Sequence, residues 1–178
     1  ATTKVEKINP GDKPEDTFFG LDEKGFDQVF NLNFKGTLLP TMIFSQDMVK
    51  RGSGSVINVS SMNSYRPLTR IPAYSASKAA VNNFTQWLAV HFAGTGVRVN
   101  AIAPGFLLTN QNRFLLTDEK TGEPTPRGRK ILGNTPMGRY GIPEEMAGTV
   151  LFLTSDWASF ITGIVIPVDG GFSAYSGV

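Results

Sequence analysis

Three short apolar runs, SVINVSS at 55–61, VRVNAIA at 97–103 and GIVIPV at 163–168, are separated by stretches of helical periodicity and not by hairpin turns. Strands joined by long helical crossovers run parallel, so the alternation predicts an α/β fold with a parallel sheet covered by helices. Each run is nearly continuous in apolar residues, as expected for a strand buried on both faces. Pro167 has no N–H to give to a ladder, so the last strand belongs at an edge. Three strands are few for this class, and the pattern reads as the C-terminal part of a doubly wound, Rossmann-like sheet. In such sheets ligands sit beyond the carboxyl ends of the strands.

The helices have readable ends. Phe26, Val29, Phe30, Asn33 and Phe34 recur at spacings of three and four, continuing through Leu38, Met42 and Met48, with Asp22 placed to cap the start. Pro40 would remove the hydrogen bond to the Gly36 carbonyl, which predicts a bend or two consecutive helices. Lys50, Arg51 and Gly52 form the stop signal. A second helix is expected over 73–92, and Pro143 with Glu144 and Glu145 opens a third. Residues 1–20 are polar, broken by Pro10, Gly11 and Pro14, and read as a connecting loop ahead of the catalytic part of one domain at 21–178. The chain is therefore expected to begin partway through a fold. Residues 106–142 form an irregular excursion whose length suits a substrate lid.

Composition narrows the function. There is no cysteine and one histidine, His91, so thiolate chemistry is excluded and a zinc site lacks ligands. Seventeen basic residues against fifteen acidic ones are scattered along the chain, which argues against nucleic-acid or membrane partners and for a small-molecule ligand. No apolar run approaches the length of a membrane span, and the opening lacks the apolar core of a signal peptide. A cytoplasmic location is the expectation.

The chemistry gathers where the strands end. Ser61 follows the first strand; Tyr74 begins the next helix with Lys78 one turn further along the same face; Gly105 and Thr109 follow the second strand in APGFLLT. A free tyrosine, with a pKa of about 10, is a poor acid at neutral pH. A nearby ammonium favours its phenolate, and a serine hydroxyl can share the same substrate oxygen. A tyrosine and a lysine at this spacing occur by chance in many proteins. Ser61 thirteen residues before Tyr74, and the APG turn after the following strand, make the catalytic alternative the stronger one.

NVSS, then YSASKAA, VRVNAIAPGFLLT and VDGG, resemble the motifs of the short-chain dehydrogenase/reductase family over nearly the whole chain from Leu21. The resemblance implies an NAD- or NADP-dependent oxidoreductase. It makes Tyr74 the proton donor, Lys78 the partner that favours the phenolate and holds the nicotinamide ribose, and Ser61 the group that positions the carbonyl oxygen. Asn33, in NFKG, would support a water in the proton relay, and Pro104, Gly105 and Thr109 would contact the cofactor. The family's glycine-rich pyrophosphate turn is not in this chain. APGF, TNQNRFLLT, TPRGRKI and the ending VDGGFSAYSGV resemble family members that interconvert D-fructuronate and D-mannonate. For such a sugar acid Arg113 is the candidate carboxylate clamp and Asn63 a hydroxyl partner, because a guanidinium grips a carboxylate with two parallel bonds. The family's assembly implies a homotetramer or homodimer through the helices at 22–50 and 73–92. Other ketoses or keto compounds are alternative substrates, and a non-catalytic role in association is the alternative from another class.

Overall fold

The computed structural model describes residues 8–177. Three parallel strands, Gly54–Val59 (β1), Val97–Pro104 (β2) and Val165–Val168 (β3), form a sheet in the order β1-β2-β3. Val59 lies opposite Ile102 and Ile102 opposite Ile166, so the carboxyl ends of all three strands are level. β3 is an edge strand, with Pro167 opposite Ala103. β2 occupies the centre and is buried almost throughout, as its apolar run requires.

The helices cover this sheet. Asp22 caps Glu23–Phe30 (α1), its carboxylate accepting from Gly25 N at 3.0 Å. Two consecutive helices are found, but the junction is not at Pro40. A π-helical turn, Asn31–Lys35, joins α1 to Gly36–Arg51 (α2), and Pro40 lies inside α2. The Thr37 hydroxyl donates to the Asn33 carbonyl at 3.0 Å, and a hydroxyl competing for the ladder carbonyls favours such local widening ahead of the proline. Gly52, at φ 70°, closes α2 in the left-handed conformation that its stop signal foretells. Pro72–His91 (α3) packs on β2, where Leu88, Ala89 and Val99 form a buried core joined by Val56, Phe84 and Phe92.

The excursion after β2 is more ordered than its sequence suggests. It contains Arg113–Leu116 (α4) and Pro126–Gly133 (α5), with bridges pairing Leu107 with Gly141 and Thr117 with Pro124. Thr125 caps α5 by accepting from Gly128 N at 3.0 Å, and Pro126 occupies its first turn. Arg139 grips Glu145 with both guanidinium nitrogens, and that contact holds the Glu145 carboxyl down to about 2. Ala147–Thr154 (α6) follows a 3₁₀ turn at Pro143–Met146. Of the connecting loop expected at 1–20, the described part forms 3₁₀ turns at Pro14–Asp16 and Phe18–Gly20, and residues 1–7 lie outside the described residues.

Two polar side chains on β2 fix the last crossover. Arg98 donates to the carbonyls of Leu153 (2.7 Å) and Ser155 (3.1 Å) at the end of α6. Fully buried Asn100 donates to Ile161 O at 3.0 Å and accepts from Ile164 N at 3.1 Å, placing the turn that leads into β3. Asn100→Leu removes both bonds, orphaning Ile164 N and leaving Ile161 O only the longer bond from Arg98 at 3.4 Å, so a loss of about 1–3 kcal/mol in urea unfolding is expected. An unchanged midpoint would show that these bonds do not hold the crossover.

Candidate active site

The site forms at the seam between the end of β1 and the first half of α3. Lys78 Nζ donates to the Val59 carbonyl at 2.9 Å, tying the helix to the last residue of the strand. Ser60 N pairs with Ile102 O at 2.8 Å, continuing the ladder one residue past β1. The chain then turns through a 3₁₀ turn, Met62–Ser64, whose first backbone bonds are set by Ser61. Ser61 Oγ accepts from Asn63 N at 3.3 Å, leaving its own proton free to point elsewhere. Ser61 and Asn63 are both buried.

Tyr74 and Lys78 stand one turn apart on α3, with Nζ 5.8 Å from the centroid of the tyrosine ring. Both are half-buried. Burial pushes the Lys78 ammonium below the ordinary lysine value, because the charged form loses hydration. The turn that follows Ser61 packs on α3, the helix that carries Tyr74 and Lys78. Asn63 lies in that turn, with a buried carboxamide Oδ1 that has no hydrogen-bond partner among the described residues.

Asn33 lies in the π-helical turn that packs against α3. A ladder of rings fixes that packing: Phe30 meets Phe34 at 5.8 Å, and Phe34 meets Phe84 of α3 edge-on at 5.9 Å. The Asn33 carboxamide N–H donates to Val29 O at 2.9 Å, while its main-chain carbonyl takes the Thr37 hydroxyl.

Pro104 ends β2 and Gly105 follows, where Gly105 N donates to Val168 O at 3.0 Å. A Cβ on Gly105 would come within 2.6 Å of Asp169, so only glycine lets the turn pass β3 this closely. Asn112 closes the loop between Gly105 and α4. Its carboxamide accepts from Thr109 N at 2.9 Å and donates to Leu107 O at 2.8 Å. Arg113 opens α4 and is exposed. Sequence reasoning passed over Asn82, which is linked to Ser60 and Ser64. Its spacing of four from Lys78, on the same helical face, was the available signal.

The family model described as enoyl-(acyl carrier protein) reductase matches residues 9–173. The chain belongs to the short-chain dehydrogenase/reductase family. It is 59% identical over 163 residues to an uncharacterized oxidoreductase of Haemophilus influenzae, covering 91% of this chain and 57% of that protein. A solved Haemophilus structure with bound NAD, provisionally described as a D-mannonate oxidoreductase, superposes with a TM-score of 0.90. It is 56% identical and is matched over 100% of this chain and 64% of its own length. An Agrobacterium tumefaciens structure with bound NADP, provisionally described as a 2-deoxy-D-gluconate 3-dehydrogenase, has a TM-score of 0.79 at 35% identity. The match covers 87% of this chain and 61% of that one. The chain thus spans less than two thirds of the length of these relatives. Among the described residues no helix is long and apolar enough to cross a membrane.

The lysine supplies a pH test. With its folded value lowered, Lys78 binds its proton less readily in the native state than in the unfolded chain. Its contribution to stability therefore rises with pH from the lowered value up to the ordinary 10.5. Tyr65 and Tyr140, both raised by burial, act in the opposite direction above 10. Lys78→Met should remove the alkaline gain in unfolding midpoint that the wild type shows below that range. Parallel pH profiles for the two proteins would contradict the assignment.

Proposed function

We propose that the whole protein is a nicotinamide-dependent oxidoreductase that interconverts a sugar-acid ketone and its alcohol, with D-fructuronate and D-mannonate as the pair. The observation behind this is the seam that sets Ser61 of the strand end beside the Tyr74–Lys78 stripe of α3. The Haemophilus structure with bound NAD supports the reaction class, and its provisional description supports the substrate.

The donor set suits the ribose and nicotinamide end of such a cofactor. Lys78 spends one N–H on Val59 O and keeps two for ribose hydroxyls. The loop from Pro104 to Thr109 is held by Asn112 and β3, so its remaining backbone groups and the Thr109 hydroxyl present a fixed edge for a carboxamide. When bound, the nicotinamide supplies or accepts the hydride at the substrate carbon.

The chain's own residues handle the oxygen. Ser61, whose Oγ accepts from Asn63 N, turns its proton toward the carbonyl oxygen and orients it. Tyr74 donates the proton that completes the alcohol, and recovers it in the oxidative direction. The Lys78 charge stabilises the tyrosinate left behind. Asn33 keeps its Oδ1 for a water that carries the proton onward. The unpartnered Oδ1 of Asn63 accepts from a substrate hydroxyl beside the carbonyl, and exposed Arg113 clamps the carboxylate under the lid formed by 106–142. Catalysis here is mostly positioning, with the cofactor carrying the bond changes.

Tyr74→Phe should lower kcat on the order of 10²–10⁴-fold with little change in KM. The wild type should prefer fructuronate with NADH, or mannonate with NAD, over gluconate and 2-deoxygluconate in a spectrophotometric panel. Full activity in Tyr74→Phe would overturn the role of the tyrosine, and equal rates across the panel would overturn the substrate.

The same helices suit association of copies in a homodimer or homotetramer. An apolar groove of about 590 Å³ runs between α2 and α3, lined by Met42, Phe84, Trp87 and Leu88 among others, and Leu39, Ile43, Phe44 and Val90 stand exposed nearby. Sedimentation equilibrium of the whole protein should give a dimer or tetramer that Trp87→Lys dissociates. A monomer would contradict it.

A further inference from the structure

We infer that Asn82 is a positioning residue: it sets the Ser61 turn against the helix that bears Tyr74 and Lys78. The inference rests on the oxidoreductase reading for its kinetic consequence, though not for its geometry.

Asn82 lies one turn beyond Lys78 and two beyond Tyr74 on α3, half-buried against the end of β1. Ser60 Oγ donates to its Oδ1 in a short hydrogen bond. Its Nδ2 donates to Ser64 Oγ at 2.8 Å, and Ser64 Oγ in turn donates to the Ser61 carbonyl at 2.6 Å. The carboxamide therefore bridges the residue before Ser61 and the residue that grips Ser61's own carbonyl.

The direction of every bond in this chain is fixed. A backbone carbonyl can only accept, so the single proton of Ser64 is committed to Ser61 O. Ser64 Oγ must then accept from Asn82, which turns the amide nitrogen toward Ser64 and the amide oxygen toward Ser60. Ser60 is 3% exposed, so its hydroxyl has no solvent alternative, and Lys78 O and Ser64 Oγ, each at 3.3 Å, are longer alternative acceptors. A side chain offering one donor and one acceptor at this place meets both serines at once and at shorter range than those alternatives. Asparagine does so at a length that a glutamine would exceed. Ser61 Oγ itself is left untouched by the network and stays available to a substrate oxygen.

An aspartate tests the polarity with nearly no change of shape. In Asn82→Asp two acceptor oxygens face the serines, so Ser64 turns its hydroxyl proton to the carboxylate and leaves Ser61 O with the Ser64 N–H alone. Ser64→Ala cuts the same link from the other end and is the milder variant for folding. In the whole protein each should lower kcat about 10- to 100-fold, the scale of a small misplacement of a reacting group. NADH affinity, read by fluorescence, should stay at the wild-type value. The double variant should be no slower than the worse single one, because both remove one link. Amide exchange at Ser64 and Tyr65, whose N–H groups bond to Ser61 O and Met62 O at 3.0 Å, should quicken in both variants.

Wild-type kcat in both variants, or losses that multiply in the double variant, would overturn the inference. A merely structural residue would lower the unfolding midpoint and leave kcat of the folded fraction intact. Should the wild-type protein turn over no carbonyl compound, the oxidoreductase reading fails by that result alone. Exchange then decides the tether, and an unchanged rate at Ser64 in Asn82→Asp would overturn it.

Discussion

A single hydrogen bond, from the Lys78 ammonium to the carbonyl of Val59, sets the relation between the sheet and the helix on which the rest of the site depends. It lies where β1 stops and the chain must turn. A lysine drawn out of water needs a partner, and the carbonyl of the last strand residue supplies an acceptor. Meeting that need at this place fixes the height of α3 along the strand. Tyr74 stands one turn earlier on the same helix. The buried Asn58–Thr85 bond at 2.9 Å repeats the same tie two turns further along the helix. Helix and strand are pinned at two points, which prevents rotation of one against the other.

The neighbouring elements are organised around that seam. β2 is buried across its length and keeps the carboxyl ends of the three strands level, so the Pro104–Thr109 loop leaves the sheet beside the Ser61 turn. On the other flank, the aromatic ladder from Phe30 through Phe34 to Phe84 presses the π-helical turn onto α3 and brings Asn33 to the same helix. The turn after Ser61 and the turn bearing Asn33 each pack on α3, and the Pro104–Thr109 loop leaves the strand next to β1, without any of them being long. Their positions come from tertiary packing, and their chemistry from single residues at element ends.

Much of this was legible in the sequence because it rests on local rules. Asp22, Gly52 and Pro167 each announced an end or an edge, since capping, left-handed φ and a missing N–H act within a few residues. The places of Ser61 just past a strand end and of Tyr74 and Lys78 in the first turns of a helix were legible from the same local signals, while their catalytic roles are proposed. The break between α1 and α2 was misplaced because Pro40 dominated the expectation, whereas hydroxyls of Thr37 and Thr41 bonding to carbonyls one turn back act through side-chain geometry that periodicity does not encode. Order within 106–142 was hidden for a similar reason: α4 has only four residues, and the bracket of Asn112 on Leu107 and Thr109 is a contact, not a pattern. Asn82 looked like any polar residue on a helix until its two serine partners were placed.

The central claim is that Ser61 and Tyr74 address the same substrate oxygen from the two sides of the β1–α3 seam. A crystal structure of the whole protein with NAD and the sugar-acid alcohol tests it most directly. The account predicts the Ser61 Oγ and Tyr74 Oη atoms both at about 2.6–3.2 Å from the one reacting oxygen, with Lys78 Nζ still on Val59 O. A bound alcohol whose reacting oxygen meets neither hydroxyl would contradict it.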